Sequence, residues 1–332
     1  MVESNGAQLT EQEAELYDRQ IRLWGLDSQK RLRSARILIS GLNGLGAEIA
    51  KNIILAGVKS VTLLDTQNVM EQDFCSQFLV PQSAVGTNRA EASLFRAQQL
   101  NPMVELKADT ESLDSKDDTF FKSFDVVCLV GASTVQQKGV NMVCREANVK
   151  FFATDVWGML GFSFADLQKH EFAEDVAKYV VVSKPHEKPK TETVTTTVKR
   201  TLEFPPYQAL MDFDFKDPSY ARQLKRNGPA LPVLRVLQQF RDDEQRDPDY
   251  KKRQEDLLKL LQLRDAMAPE MIPDNCFEHV FAQISPVAAI IGGVVAHEII
   301  KVVSQKEVPH RNLFLFNPDN CSGFVELVGA DK

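Results

Sequence analysis

The chain has 332 residues and a mass of 37.3 kDa, which corresponds to about two domains of ~150 residues each. Hydrophobic residues make up 43% of it and charged residues 26%, a balance typical of folded globular proteins that excludes a disordered, collagen-like or coiled-coil chain. The net charge of −7, from 39 basic and 46 acidic residues, argues against a nucleic-acid partner held through a phosphate-neutralising surface.

The first predicted elements alternate between helix and strand. Thr10 and Glu13 form a capping-box pattern, so we expect a helix from there to about Leu26. Continuous apolar runs follow, and such runs are typical of strands buried on both faces of a parallel sheet. The predicted strands are residues 36–40, 60–65, 104–108, 125–130 and 149–154. The predicted helices are residues 44–56 and 88–100, a helix in the region of Phe120, and residues 134–147. This order predicts an α/β fold with a doubly wound, mostly parallel, Rossmann-like sheet.

The alternation stops near residue 173 and returns near residue 268. We therefore predict one α/β domain formed by residues 1–172 and 268–332, which end in short strands at 312–316 and 323–327. Residues 173–267 are predicted to be an inserted, mainly helical segment.

Two stretches of this insertion are distinctive in composition. Residues 183–201 are rich in Lys, Thr and Pro, which favours a flexible excursion, although residues 193–204 could equally form an edge strand. Residues 240–256 are a run of charged side chains, and we expect a solvated face or loop there.

A helix is predicted at Ser285–Ser304, where Ala288, Gly292 and Ala296 recur every four residues. A stripe of small residues on one helix face allows close approach of a neighbouring helix. The apolar run Pro286–Ala296 is much shorter than the ~20 residues that span a bilayer. The first 15 residues are polar and acidic, unlike a signal or transit peptide. We expect no membrane partner.

The five cysteines include no C-x-x-C pair. An odd, scattered set predicts neither a disulfide framework nor a four-cysteine zinc site, and it favours reduced thiols in the cytosol or nucleus.

A glycine-rich turn joins the first predicted strand to a helix. Gly41, Gly44 and Gly46 lie there, and Asp65 follows the second strand. The N-terminus of a helix in this position can bind phosphate, and an acid at the end of the second strand can bind a ribose hydroxyl. Asn43 stands where the dinucleotide-binding pattern requires glycine. Both interpretations therefore stay open, nucleotide contact or only tight packing of strand against helix.

Two absences near this turn bear on phosphate chemistry. No lysine or arginine lies between Asp65 and Arg89, and no aspartate or glutamate lies between Asp125 and Glu146. Phosphate transfer from ATP requires cations for the phosphates and a carboxylate for Mg²⁺. The sequence therefore predicts half of an active site.

Five motifs in order resemble the adenylation fold of ubiquitin-like-activating enzymes, which bacterial relatives in molybdopterin and thiamin biosynthesis share. The motifs are Tyr17–Gly25 (YDRQIRLWG), Gly41–Gly46, Leu63–Asp65, Gly86–Ala90 and Ser285–Val287. The chain length, the first motif and the missing cysteine domain make it most similar to the smaller subunits of heterodimeric SUMO-activating enzymes.

The resemblance implies a pseudo-twofold pair of such folds, of which one holds ATP and Mg²⁺. Catalytic members have glycine, arginine and aspartate where this chain has Asn43, Ser76 and Ala132, whereas Asp65 and Arg89 still match the ribose and phosphate positions. The resemblance therefore implies a degenerate half, kept for pairing, that binds no cofactor or metal by itself and whose partner holds ATP and Mg²⁺.

In this family the arginine of the first motif reaches the ATP γ-phosphate on the other subunit. The resemblance assigns that role to Arg19, and more weakly to Arg22 on the same helix face. The alternative is that Arg19 is a surface residue paired with Asp18 or Glu15.

The family's catalytic members carry a thioester-forming cysteine in an inserted domain. Residues 173–267 contain no cysteine, and Cys276 has no neighbouring His or Lys to lower its pKa. We expect Cys276 to be structural and His297 to pack or cap rather than to bind a ligand.

The leading hypothesis is an accessory subunit that supports adenylation of a ubiquitin-like modifier and its thioester transfer on a catalytic partner subunit. The modifier and a conjugating enzyme would be met through that complex, and the resemblance implies a nuclear location. Two alternatives stay open. One is a self-sufficient homodimeric adenylyltransferase of the bacterial type, and the other is a NAD-dependent oxidoreductase, which the glycine turn and Asp65 permit.

Overall fold

An eight-stranded sheet forms the centre of the protein in a computed structural model that describes residues 10–182, 190–317 and 321–329. The strands are β1 (Arg36–Ser40), β2 (Ser60–Leu64), β3 (Glu105–Asp109), β4 (Val126–Val130), β5 (Lys150–Trp157), β6 (Leu160–Asp166), β7 (Lys169–Val182), β8 (Lys190–Glu203), β9 (Leu313–Asn317) and β10 (Ser322–Glu326). The central sheet has the spatial order β10-β9-β6-β5-β4-β1-β2-β3, and β7 and β8 form a separate ribbon.

The five neighbouring strands β5-β4-β1-β2-β3 pair in parallel. Strands β6, β9 and β10 extend the sheet with antiparallel pairing. The predicted doubly wound, mostly parallel α/β fold is therefore confirmed. The sequence prediction missed β6, which returns directly from β5 through a tight turn at Gly158, where φ is +54°. A glycine tolerates this left-handed conformation, so the chain forms a hairpin instead of crossing over through a helix.

Helices cover both faces of the sheet. They are α1 (Glu11–Leu16), α2 (Asp18–Trp24), α3 (Leu26–Ser34), α4 (Gly44–Leu55), α5 (Arg89–Leu100), α6 (Asp118–Lys122), α7 (Thr134–Glu146), α8 (Tyr207–Asp212), α9 (Ala221–Asn227), α10 (Ala230–Glu244), α11 (Arg253–Met267) and α12 (Ser285–Ser304). One core lies under α3, α4, α5 and α12, and the other lies under α6, α7, α8, α10 and α11. Successive β4 side chains alternate between the two cores, Cys128 on one side and Leu129 on the other. This double burial explains why the strands read as continuous apolar runs.

The N-terminal region differs from the single helix expected up to Leu26. The capping box is confirmed, because the Thr10 side chain accepts from the Glu13 backbone N–H at 3.2 Å. The chain then forms three short helices instead of one. Tyr17 ends the first helix and is fully buried, and Gly25 separates the second from the third with φ at +88°. The prediction failed because periodicity alone does not reveal that the chain turns inward to bury one aromatic ring.

The helix predicted at Ser285–Ser304 is confirmed as α12, with its stripe of small residues buried. A Cβ on Gly292 would collide with Glu48 of α4, so the two helix backbones approach closely. Among the described residues, α12 is the one helix long and apolar enough to cross a membrane, but more than half of it is buried inside the protein, as expected for a core helix. His297 is exposed on α12, so the expectation that it packs or caps was wrong.

The segment predicted to be inserted, residues 173–267, begins with most of the β7–β8 ribbon and continues with α8 to α11. It is therefore less helical than expected. The alternative of a strand at residues 193–204 is confirmed by β8, although β8 pairs only with β7 and not with the central sheet. Residues 183–189 of the predicted flexible excursion lie outside the described residues. The division of the chain into domains stays a prediction.

The charge run at residues 240–256 contains a loop at 245–249 and is exposed over much of its length, as expected, but two of its charged side chains are not solvated. Arg241 and Asp256 are buried, at 7% and 0% exposure. Arg246 makes two hydrogen bonds to the Asp256 carboxylate, both at 2.7 Å. Composition gave no sign of these ion pairs, because each depends on partners that only the fold brings together.

Candidate functional site

The strand order places a crevice at the carboxyl ends of β1 and β4. The chain runs from β1 outward to β2 and β3, then returns to the other side of β1 with β4 and β5. Ligands of open α/β sheets bind at such a reversal. Gly41 follows β1 and Gly131 follows β4, so both line this crevice.

The three glycines of the predicted phosphate-binding turn are packed tightly. Gly41 has φ at +98°, and a Cβ there would collide with the Val130 carbonyl oxygen. A Cβ on Gly46 would collide with the Gly41 carbonyl oxygen, and one on Gly44 would collide with the Ser76 side chain. These contacts support the packing interpretation of the glycines. They also place Ser76 against the turn, in the position where the resemblance expects an arginine.

Asn43 occupies the N-terminus of α4. Its side-chain oxygen accepts from the Gly46 backbone N–H at 3.1 Å and caps the helix. A bound phosphate would use the same unpaired N–H groups and the same positive end of the helix dipole. The Asn43 side chain therefore takes the place of an anion at this turn.

Asp65 and Arg89, predicted to contact ribose and phosphate, lie together and pair with one another. Arg89 Nε lies 3.1 Å from an Asp65 carboxylate oxygen, and Arg89 Nη1 lies 3.1 Å from Asp73. Asp65 also accepts the Leu42 backbone N–H at 2.6 Å and the Gln67 N–H at 2.8 Å. The cation is thus neutralised by two carboxylates, and the Asp65 carboxylate is engaged within the protein.

The structure adds a buried charge cluster that the sequence analysis missed. Asp155, near the end of β5, is 1% exposed and forms an ion pair with Arg241 of α10. Arg241 Nη2 also lies 2.5 Å from Asp247, and its guanidinium carbon lies 4.7 Å from the centre of the Trp157 ring. The sequence signal that could have revealed the cluster is an aspartate next to an apolar strand. It was missed because the predicted strand ended at residue 154, whereas β5 continues through Asp155.

Burial and pairing act in opposite directions within this cluster. Burial raises the pKa of the Asp155 carboxyl to about 6, while Arg241 opposes that rise. Burial would lower the pKa of Arg241, but the Asp155 and Asp247 carboxylates raise it. The guanidinium is therefore a fixed cation at the edge of the crevice.

Arg241 also reaches the turn after β4. Its Nη1 atom donates to the Ala132 carbonyl oxygen at 3.3 Å, and Ala132 is the position at which the resemblance expects the aspartate of a metal site. Asn43 and Asp155 both lie close to Gly131, since a Cβ there would be 3.6 Å from an atom of each. Within residues 10–182, 190–317 and 321–329, no three His, Cys, Asp or Glu side chains come together as a metal site. The residues of this crevice do not fit a nucleotide with its metal ion.

Arg19 lies apart from this crevice, on the exposed face of α2. The alternative was a surface residue paired with Asp18 or Glu15. Its surface position is confirmed, but Asp18 pairs with Arg22 at 3.1 Å, and Arg19 pairs with neither acid among the described residues. Nothing in the described part of the chain forms a hydrogen bond or ion pair with the Arg19 guanidinium.

The five cysteines differ in exposure, and two of them, Cys75 and Cys321, are exposed. Cys128 and Cys144 are buried, and burial raises the pKa of each thiol to about 12. Cys276 is half-buried beyond α11. The described part of residues 173–267 consists of a ribbon and helices, and no cysteine occurs in that stretch of the sequence.

The fold defines an α/β protein with a doubly wound sheet, in which the residues predicted to contact a nucleotide are engaged within the protein. A sequence model of the ThiF family matches residues 17–329, and the chain belongs to the ThiF family.

Curated relatives extend over nearly the whole chain. The SUMO-activating enzyme subunit 1 of Xenopus tropicalis is 43% identical and aligns with 99% of this chain and 100% of its own length. The Homo sapiens protein of the same name is 43% identical, with 98% of both chains covered, and that of Danio rerio is 44% identical, with 99% of both covered.

A solved structure of lower identity has a similar fold. The crystal structure of selenomethionine-labelled PaaA matches with a TM-score of 0.59 and 13% identity, covering 98% of this chain and 86% of that one. At this identity the likeness concerns the fold alone.

Proposed function

We propose that this chain is the non-catalytic subunit of a heterodimeric SUMO-activating enzyme. It supports ATP-dependent adenylation of a ubiquitin-like modifier and transfer of that modifier to a thioester on the partner subunit. Support comes from the family and from relatives of the same length named SUMO-activating enzyme subunit 1. By the same resemblance, the conjugating enzyme is met through the complex and the protein works in the nucleus.

The observation that carries the proposal is the state of the crevice. Asn43 caps the helix that would bind phosphate, and Arg89 is paired with Asp65 and Asp73. Adenylation requires electrostatic stabilisation of the phosphates where charge shifts, and these side chains are already used within the protein. We therefore propose that the isolated chain does not activate a modifier, and that ATP and Mg²⁺ are held by the partner.

Arg19 is suited to contribute to such a partner site in trans. Its side chain is exposed, and α2 is fixed on both sides of it, by buried Tyr17 and by Gln20, whose side chain donates to the Leu55 carbonyl at 3.0 Å. An arginine delivered across an interface to a phosphate in this way accelerates GTP hydrolysis by about 10³–10⁵. Arg19 is thus a free cation on an anchored helix.

The surface around Arg19 supports pairing with another protein. Leu23 is 74% exposed and Leu26 is 46% exposed on the N-terminal helices, and Ile290 is 44% exposed on α12. Arg31 of α3 donates to the Ser304 carbonyl at the end of α12 at 2.7 Å, so the two regions belong to one layer. Exposed apolar side chains close to one another, as Leu23 and Leu26 are in sequence, are typical of protein interfaces.

The test compares Arg19→Ala with Arg22→Ala in the complex with a catalytic subunit. Both variants should elute with the partner in size-exclusion chromatography. Arg19→Ala should slow ATP–pyrophosphate exchange by about 10² or more. Arg22→Ala should slow it less, because the Arg22 guanidinium is already paired with Asp18, although that exposed pair is weak. An unchanged exchange rate for Arg19→Ala in an intact complex would remove the trans role.

The two alternatives make different predictions. A self-sufficient adenylyltransferase would carry out exchange without a partner, and an oxidoreductase would bind NAD and transfer hydride. Exchange by the purified chain alone would overturn the proposed division of labour between the subunits.

A further inference from the structure

The C-terminal end of α10 lies over the crevice at β1 and β4. Arg241 is 7% exposed there, and its guanidinium contacts Asp155, Asp247 and the Ala132 carbonyl oxygen. A guanidinium between two carboxylates takes the position that a bound metal ion would take between the same oxygen atoms.

The next residue, Asp242, contacts the helix that follows β4. Its carboxylate accepts the Thr134 backbone N–H at 3.0 Å, at the N-terminus of α7. Helix N-termini at this edge of an α/β sheet are the usual position for a bound anion. Ser133 caps α7 by accepting the Gln136 N–H, as Asn43 caps α4 by accepting the Gly46 N–H. The Asp242 carboxylate takes a further N–H of the first turn of α7 and so adds a negative charge at that position.

Two consecutive residues of α10 therefore supply a cation and an anion to the two kinds of position that a metal–phosphate ligand would use. We propose that the C-terminal end of α10 closes this chain's own crevice, with Arg241 in the position of a cation and Asp242 in that of an anion. The identity of the excluded ligand, a nucleoside triphosphate with its divalent cation, rests on the proposed function. The closure of the crevice by α10 does not depend on it.

The cation position is tested with Tb³⁺, a hard cation that binds carboxylates and whose emission is excited by a neighbouring tryptophan. The chain has two tryptophans, so Trp24→Phe leaves Trp157 beside the cluster. In this background Arg241→Ala frees Asp155 and Asp247, and Tb³⁺ should bind at least about tenfold more tightly than to the parent, because the positive charge between the carboxylates is gone. Adding Asp155→Asn should abolish the gain.

Equal Tb³⁺ emission from the parent and from folded Arg241→Ala would overturn the closure by Arg241. Arg241→Lys provides a second variant that retains the charge, and it should exclude Tb³⁺ as the parent does. Binding of Tb³⁺ to Arg241→Lys as tightly as to Arg241→Ala would contradict the proposal, because charge would then not be the excluding factor.

The anion position is tested separately by hydrogen exchange in the full chain. Asp242→Ala removes the acceptor of the Thr134 N–H and should speed amide exchange in the first turn of α7. Asp243→Ala, at an exposed neighbour that accepts from Gln239 at 2.8 Å, should not. Equal exchange in both variants would refute the role of Asp242. These measurements use no partner and no turnover, so they can fail or succeed independently of the Arg19 test.

Discussion

Tyr17 anchors the helix that carries Arg19, and its removal gives a prediction with a definite size. The ring is 1% exposed and packs against Gly57, where a Cβ would collide with it. The hydroxyl oxygen accepts from Asn101 Nδ2 at 2.8 Å. Since α2 itself contributes no buried residue, we expect the position of Arg19 to depend strongly on this one side chain.

The magnitude follows from what each substitution removes. Tyr17→Phe deletes one hydrogen bond, while Asn101 keeps its second acceptor, the Ile54 carbonyl at 3.0 Å, so it should cost about 1 kcal/mol. Tyr17→Ala leaves a cavity and should cost about 3–5 kcal/mol, as for other buried aromatic residues. Each 1.4 kcal/mol changes an equilibrium about tenfold. Local opening of α1 and α2 together should therefore become about five-fold more frequent in Tyr17→Phe and about a thousand-fold more frequent in Tyr17→Ala.

Hydrogen exchange measured by mass spectrometry checks this in the purified chain. Peptides covering residues 11–24 should exchange faster in the order parent, Tyr17→Phe, Tyr17→Ala. Leu16→Ala, a neighbour that is 57% exposed, should leave them unchanged. In the complex, Tyr17→Ala should slow ATP–pyrophosphate exchange as Arg19→Ala does, although the arginine is present. If Tyr17→Ala lowers global stability but leaves exchange in residues 11–24 unchanged, Tyr17 is only a core residue and the anchoring argument fails.

The remaining predictions concern stability. Burial, and to a smaller extent the charge of Lys150, lower the pKa of His170 to about 4, so folded His170 stays neutral while unfolded His170 gains a proton below pH 6.5. Stability should therefore be complete above about pH 6.5 and fall by up to about 3 kcal/mol towards pH 4, and His170→Leu should reduce that slope in urea titrations. Arg89→Met leaves Asp65 and Asp73 without their cation, so it should lower the urea unfolding free energy by about 3–5 kcal/mol; a loss below 1 kcal/mol would mean that water compensates the two carboxylates.

Much of the α/β order could be predicted because it depends on local patterns. The strand at residues 36–40 and the helix at Ser285–Ser304 appear with the predicted bounds. Asn88 begins α5 as expected, with its side chain accepting from the Ala90 N–H at 2.8 Å. Capping residues and apolar runs act within a few residues of the chain, so they are readable without the fold.

The features that the sequence did not predict depend on distant partners. Arg241 lies in a run of charges that looks solvated, but it is separated by 86 residues from Asp155, its buried partner. The free energy of such a pair depends on a geometry that only the complete fold supplies. The mutual pairing of Asp65 and Arg89 was hidden for the same reason, because each was considered singly as a ligand for nucleotide. The scaffold of the site was therefore predictable, whereas its internal neutralisation was not.

The way in which α10 joins the sheet limits how this protein can move. Leu234, Leu237 and Phe240 of α10 share one continuous apolar core with Phe151 and Phe162 of the sheet. Swinging α10 away as a rigid body would expose that core to water, which is costly for every side chain uncovered. The β7–β8 ribbon pairs with no strand of the central sheet. Its base is fixed by buried Phe172 and by backbone hydrogen bonds of Ala173, but residues 193–200 beyond the base are mostly exposed and can move at a lower cost. We therefore expect any rearrangement during a catalytic cycle to occur in the outer part of the β7–β8 ribbon and not in the helices that pack on the sheet.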